Sequence, residues 1–294
     1  MSQSKRILVV GASRPLGRKI SAHLVKAGHM VTATSRFAHP EIFDKIQSTG
    51  AEPAQLDLTN REAVAKLAPD IDIAVLSPIL SISGEAARIL RQGGVKRGVV
   101  FSSNNVAIAP SVPVYGALRK QEVKLRDSCP DWAILRPTMI YGYPGDGNLS
   151  RLLKALSWAP IFPVPGNGKA VQQPIHVDDL AQIAAALADG AWDAKGILAV
   201  GGPDALTHRA MMRLVKRVAG GKGVFVSLPV GPVKSAVTMA SELGIRLPLS
   251  PAQIARIDLN KAAVDPAELP ELIAPQVALE TGLRTLAAEL GLKP

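Results

Sequence analysis

The sequence predicts an α/β protein, a doubly wound parallel sheet followed by a small, mostly helical C-terminal lobe. Three observations predict it. The chain opens on a short unbroken apolar run, Ile7-Leu8-Val9-Val10, that stops at Gly11 and turns through Ala12-Ser13-Arg14-Pro15-Leu16-Gly17 into a helical pattern. Strand-sized and helix-sized patterns then alternate, with short connections, to about residue 200. The strands are apolar on both faces, as in a parallel sheet covered by helices on each side. Right-handed crossovers follow from that topology.

In order, strands are predicted at Arg6–Val10, Met30–Thr34, Pro53–Leu56, Ile71–Leu76, Gly98–Phe101 and Trp132–Leu135. Helices fill the gaps near Leu16–Ala27, Pro40–Thr49, Arg61–Leu67, Gly84–Gly93 and Tyr115–Ser128. Residues 1–140 are therefore expected to form the sheet core. Residues 141–294 form a mixed lobe that returns to the core around 174–200. Tyr141–Gly147 and Ile161–Gly168 are rich in Pro and Gly and read as loops. His176-Val177-Asp178-Asp179 leads into a helix that an Asp is expected to cap, and Ile197–Val200 reads as a further strand. Helices are predicted at Thr207–Ala219, Val233–Leu243, Gln253–Leu259 and Leu279–Leu290. The apolar stretch Val224–Ile245 reads as a strand, a loop and a core helix, with a membrane-surface helix as the alternative.

Composition narrows the class. At 294 residues and 47% hydrophobic, the chain suits one large domain or a domain with an appendage, and not disorder. The single Cys129 rules out an internal disulfide, which makes the cytoplasm the expected compartment. No histidine lies near it in sequence, so it is not read as a nucleophile. No run of 18 apolar residues suggests a membrane span. The net charge of +10 is spread along helices, as a solvated basic surface or as attraction for an anionic cofactor or substrate. No nucleic-acid-binding module is recognisable, and no ligand set for a metal is present: His176, Asp178 and Asp179 are too few donors without a second cluster.

The turn after the first strand is the main functional signal. Unpaired N–H groups at the start of a helix, together with the helix dipole, cradle phosphate. Gly11 gives the sharp exit from the strand and Gly17 allows close helix packing. Pro15 fits a first helical turn without losing a hydrogen bond, and Arg14 adds a cation beside the phosphates. At the end of the second strand an acidic residue would grip the ribose of NAD. Here Ser35-Arg36 stands instead, with no Asp or Glu before Glu41. A guanidinium fork matches phosphate oxygens, so NADP is expected over NAD.

These features occur in a fixed order with Asp57-Leu58, Ser102-Ser103, Tyr115, Leu135–Gly142 and His176–Ala181. The set resembles the extended short-chain dehydrogenase/reductases, the NAD(P)-dependent sugar-nucleotide epimerase/dehydratase family of Rossmann fold, over essentially the whole chain. The resemblance implies a cofactor site made of Gly11, Ser13, Arg14, Pro15, Leu16, Gly17, Arg36, Asp57, Leu58, Ser77, Pro137 and Met139. In it Asp57 bonds the adenine amino group, Leu58 packs on the ring, and the backbone after Pro137 contacts the nicotinamide. It also implies hydride transfer with Tyr115 as acid or base, Ser103 orienting the substrate oxygen, and Arg119 in the slot where the family carries lysine. The chain departs from the family there, and it also lacks the middle glycine of the turn. A small, polar or nucleotide-sugar-like substrate is implied, and relatives often pair through flank helices into homodimers. Relatives that lose the tyrosine–lysine pair act as NADP(H)-binding sensors or assembly proteins, which Arg119 keeps open as the second reading.

Overall fold

Seven parallel strands form the central sheet in the computed structural model, which describes residues 4–165, 168–228 and 259–292 together with Gly231, Ser235 and Met239. The strands are β1 (Arg6–Val10), β2 (Met30–Ser35), β3 (Glu52–Gln55), β4 (Ile73–Ile79), β5 (Arg97–Phe101), β6 (Ala133–Pro137), β7 (Ile140–Tyr141), β8 (Ile161–Pro165), β9 (Val171–Gln172), β10 (Ile175–His176), β11 (Gly196–Val200), β12 (Leu206–Thr207) and β13 (Val224–Leu228). The helices are α1 (Pro15–Lys26), α2 (Pro40–Gln47), α3 (Arg61–Leu67), α4 (Leu80–Gln92), α5 (Asn105–Ile108), α6 (Pro113–Ser128), α7 (Leu149–Trp158), α8 (Val177–Asp189), α9 (His208–Val218) and α10 (Leu279–Glu289). The central sheet runs β11-β6-β5-β4-β1-β2-β3. The strand order reverses between β1 and β4, the place where α/β sheets of this kind open a crevice at their carboxyl ends.

Alternation along each strand divides the interior into two cores. Ile7 and Val9 of β1 face α1 and α8, where Ile20, Leu24, Leu180 and Ala184 are buried. Leu8 and Val10 face the opposite layer, built on Leu90, Leu118 and Leu125 of α4 and α6. The same division holds for Val99 against Val100 in β5 and Leu135 against Ile134 in β6. Helices cover both faces, so the central strands β1, β4 and β5 read as largely continuous apolar runs. Each fully buried Val or Leu contributes roughly 1.5–3 kcal/mol. A third core joins α7, α9 and α10 through Leu153, Met211, Met212, Val215 and Leu283, so the paired methionines are core filler as expected.

Several boundaries differ from the sequence reading. β4 starts at Ile73 and extends to Ile79, with a register irregularity between Leu76 and Ile79. α4 begins at Leu80, one turn before the predicted Gly84, because the buried Ser83 hydroxyl donates to the Pro78 carbonyl at 2.9 Å and satisfies the strand end. Ile161–Pro165, read as a loop, is a strand paired in parallel with β13. Prolines are tolerated there because the two-stranded ribbon leaves each strand an open edge. The strand predicted at the start of Val224–Ile245 is present. The helices predicted at Val233–Leu243 and Gln253–Leu259 lie outside the described residues, single positions aside. The cap of α8 is His176 and not an Asp: its Nδ1 accepts from the Asp178 amide at 3.3 Å.

Candidate functional site

The first βα corner sits over the β1/β4 crevice. Gly11 has φ +89°, a conformation open to glycine, and the Gly11 and Ala12 amides both donate to the Thr34 carbonyl. A methyl group on Gly17 would lie 2.7 Å from the Gly11 carbonyl oxygen, so α1 packs on the turn as closely as backbone permits. A methyl group on Gly11 would strike the Ser77 hydroxyl, which itself donates to the Val10 carbonyl at 2.7 Å. The structure thus brings Gly11, Ser13, Arg14, Pro15, Leu16, Gly17 and Ser77 into one corner. Pro15 is the first helical residue and Leu16 is buried; the helix start has no side-chain cap and no acidic residue in its first turn. Arg18, absent from the sequence reading, donates to the Ala12 and Ser13 carbonyls at 3.1 and 2.8 Å. It ties down the turn's acceptors from behind, and burial pulls its pKa down.

A second cluster stands at the ends of β2 and β3. Ser35 is buried and its hydroxyl accepts from the Phe37 amide, while Arg36 is exposed and lies 4.5 Å from the centre of the Phe37 ring. The Arg36 backbone is held by the Gln55 side chain. Asp57 accepts from the Thr59 amide and hydroxyl, which hold its carboxyl below the usual range, with the Arg36 charge adding to the effect. Asp57 does not cap α3; Asn60 does, accepting from Ala63. Both Thr59 bonds use one carboxylate oxygen of Asp57 and leave the other out of the turn. Leu58 packs on the second core.

At the carboxyl ends of β5 and β6 the construction changes to side chains. Glu122 is 1% exposed. It receives the Ser102 hydroxyl at 2.5 Å and a bidentate pair from Arg136 at 2.8 and 2.5 Å. Ser103 accepts from the Asn105 amide and side chain at 3.3 Å. Tyr115 is half-buried in the first turn of α6 against the second core, whereas Arg119 stands on the exposed flank of that helix, off the buried stripe of Leu118, Glu122 and Leu125. The Asn104 amide donates to Pro137 O, which links the two strand ends beside Ser103. Met139 packs toward the small lobe.

Sequence reasoning missed the amides that close this end. The Asn104 side chain, 2% exposed, donates to Ala262 O at 2.7 Å and accepts from Val264 N at 3.1 Å. Gln173 accepts from Ala263 N at 2.9 Å and donates to Gly202 O at 2.7 Å. Ala267 N then bonds Ala199 O. Residues 262–267 are thereby strapped across the carboxyl ends of β5, β6 and β11. Asp146 orders the loop after β7, accepting from Asn148 and Ser150. Asp179 holds the Gln276 and Val277 amides at 3.1 Å, tying α8 to the C-terminal segment. Among the described residues no cluster of metal ligands exists, and no helix is long and apolar enough to cross a membrane.

A glycine corner over the switch point of a seven-stranded parallel sheet defines a dinucleotide-binding protein of the doubly wound class. The chain belongs to the NAD(P)H-binding family, whose model matches residues 11–191. The (4-alkanoyl-5-oxo-2,5-dihydrofuran-3-yl)methyl phosphate reductase of Streptomyces griseus is 26% identical over 79% of this chain and 80% of its own. Among solved structures, UDP-glucose 4-epimerase of Thermotoga maritima with UDP-glucose matches with a TM-score of 0.69 at 17% identity, covering 97% of this chain and 98% of that one. The dTDP-glucose 4,6-dehydratase of Bacillus anthracis with NAD matches with a TM-score of 0.68 at 13% identity, covering 98% and 97%. The resemblance drawn from the motifs and the predicted fold class both hold.

Proposed function

We propose that the protein is an NADP-dependent oxidoreductase acting on a small, anionic carbonyl or alcohol substrate. The observation that carries this reading is the end of β2. There Ser35 is turned inward, and Arg36, braced on Phe37, is the side chain presented where NAD binders place a carboxylate. The corner fits the cofactor by its chemistry, because an uncapped helix start with Arg14 beside it and no carboxylate in the first turn favours a pyrophosphate. NADP supplies a hydride donor or acceptor. Gly11 to Gly17 hold the pyrophosphate, Arg36 takes the adenosine-side phosphate, and Asp57 and Leu58 take the adenine. Ser77 sets the turn, and Pro137 and Met139 border the nicotinamide. Tyr115 exchanges a proton with the substrate oxygen, Ser103 orients it, and Arg119 serves the ribose. The Streptomyces relative, whose named substrate carries a phosphate, supports an anionic substrate, and the epimerase and dehydratase neighbours support a site able to take a nucleotide sugar. The cytoplasm and a homodimer remain part of this reading.

The exposed position of Arg119 favours a second reading, an NADP(H)-binding sensor without turnover. Titration with NADPH and NADH, followed by nicotinamide fluorescence, tests the first. NADPH is expected to bind more tightly, and Arg36→Ala to weaken it by about ten-fold or more while leaving NADH unchanged. Equal or tighter NADH binding overturns the NADP assignment. NADPH binding without oxidation by any member of a panel of carbonyl phosphates, in wild type and Arg119→Lys alike, selects the sensor.

A further inference from the structure

The small lobe carries a surface that the cofactor site does not use. β8 and β13 pair in register, Ile161 beside Val224 and Phe162 beside Phe225. Their inner face is ordinary: Phe162 and Phe225 meet edge to face at 6.4 Å and pack on the third core. The outer face of a ribbon covered on one side should alternate to polar residues. Here it carries Ile161 (61% exposed), Val224 (59%) and Val226 (41%). Trp158, the last residue of α7 and 76% exposed, lies three residues from Ile161, within about 11 Å by chain reach. Clustered exposed side chains of this size mark a contact surface.

The chain that builds the ribbon and its neighbouring helices is rich in cations. Residues 147–177 hold three Lys or Arg and residues 205–228 hold five, and neither stretch holds an Asp or Glu. Arg151 and Lys154 lie on the exposed stripe of α7 that ends in Trp158, and Lys222 stands two residues before Val224. Arg209, which donates to Ser227, and Lys216, 5.6 Å from the Phe225 ring, belong to the inner face instead, so the cations beside the outer face are Arg151, Lys154 and Lys222. Among the described residues no salt bridge involves Arg151, Lys154, Lys216 or Lys222; Arg217 pairs with Glu280.

We propose that this face docks on an anionic lipid bilayer. Trp158, Ile161, Val224 and Val226 would enter the headgroup boundary, with the flanking cations over acidic headgroups. Aliphatic side chains around an indole suit a lipid interface, where the ring is amphipathic and the branched chains leave water. They suit nucleic acid less well, because single-strand binding needs several aromatic platforms and this face offers one. The cations supply the long-range attraction, and each near the surface strengthens binding several-fold.

Flotation of the full chain with vesicles of phosphatidylglycerol and phosphatidylcholine tests the proposal. Binding is expected to these vesicles, to fall away in high salt, and to be absent with phosphatidylcholine alone. The emission of Trp158, isolated by comparison with Trp158→Phe, should shift to the blue on binding. Lys154→Glu with Lys222→Glu should weaken binding by roughly ten-fold or more, and Val224→Ser with Val226→Ser should also weaken it while removing less of its salt dependence. Circular dichroism and thermal unfolding check that the variants fold, and the Trp158 shift in wild type stands independently of them. No flotation at low salt overturns the proposal. So does preferential binding to a duplex or single-stranded oligonucleotide, or a dimer that Val224→Ser with Val226→Ser dissolves in a chain that ignores vesicles.

Discussion

The two ends of the crevice are built from different materials. At the first βα corner the geometry is main chain: Gly11 and Ala12 amides on Thr34 O, Gly17 against Gly11 O, and a helix start left without a cap. At the ends of β5 and β6 it is side chain: Glu122 with Ser102 and Arg136, Asn104 and Gln173 with the 262–264 strap. A main-chain site depends on what is absent, since any added carbon collides, whereas a buried polar network depends on every partner being present. The first arrangement is the one proposed to hold the pyrophosphate, a feature common to all dinucleotides. The second is where members of one fold diverge in chemistry.

The largest expected effect lies at the side-chain end. Glu122→Ala strands the Arg136 guanidinium, 16% exposed, and frees the Ser102 hydroxyl. Removing one partner of a buried ion pair costs about 3–5 kcal/mol. The urea midpoint should fall accordingly, while the remaining folded fraction still binds reduced cofactor. If cofactor affinity falls as steeply as stability, the two ends are not separate and the comparison fails.

Gly17→Ala probes the other end. The added methyl would meet Gly11 C at 2.8 Å and Ala12 Cα at 2.9 Å, and neither is a flexible side chain. Overpacking against backbone costs about 1–3 kcal/mol. Stability should therefore suffer less than with Glu122→Ala. Cofactor affinity should suffer more, because α1 must move and its N–H groups move with it. Paired urea and NADPH titrations of the two variants separate the cases, and the reverse ranking of affinities would break the comparison.

How much of each end was legible in the sequence follows from the same difference. The corner is local: Val10, Gly11 and Gly17 lie within one turn of chain, so their spacing alone announced it. The succession of sheet strands along the chain was legible too, because most of the apolar runs are short and bounded. The side-chain end is assembled from a distance. Asn104 meets residues 158 and 160 positions away, and nothing local marks it. Glu122 left a faint trace: it interrupts the stripe of Leu118 and Leu125 on α6, as Arg136 interrupts the apolar run of β6. Two opposite charges at buried positions of neighbouring elements are a pattern that could have been read as a pair. Pro163 and Pro165 misled in the other direction, because proline argues against an interior strand but not against a ribbon with open edges. The cap of α8 was assigned to Asp by propensity, and the histidine before it won because its Nδ1 reaches the same amide.

Acid should act on the side-chain end first. Burial pulls the imidazoles of His176 and His208 below their usual value near 6.5; Asp178 and Asp179 partly oppose this at His176, and Lys261 adds to it at His208. A histidine held neutral in the native state is protonated more readily in the unfolded chain. The unfolded state then binds more protons, and stability falls as pH drops through about 6.5, with no further gain above it. His176 caps α8, lies edge-on to Tyr141 at 5.2 Å and packs under Gly142, so its protonation disturbs the seam between sheet and lobe. Residues 11–18 contain no histidine, and His23 near the far end of α1, which burial also holds below its usual value, feels the Asp178 charge at the start of α8 and so belongs with the seam. Hydrogen-exchange protection should therefore decline, between about pH 7.5 and about pH 5.5, at the Ile175, Gln276 and Val277 amides before it declines along β1. His176→Asn, which keeps a capping oxygen, combined with His208→Gln should flatten that decline. Equal loss of protection along β1 and at the seam would show one cooperative unit, and the difference between the two ends would then be one of construction without a difference in stability.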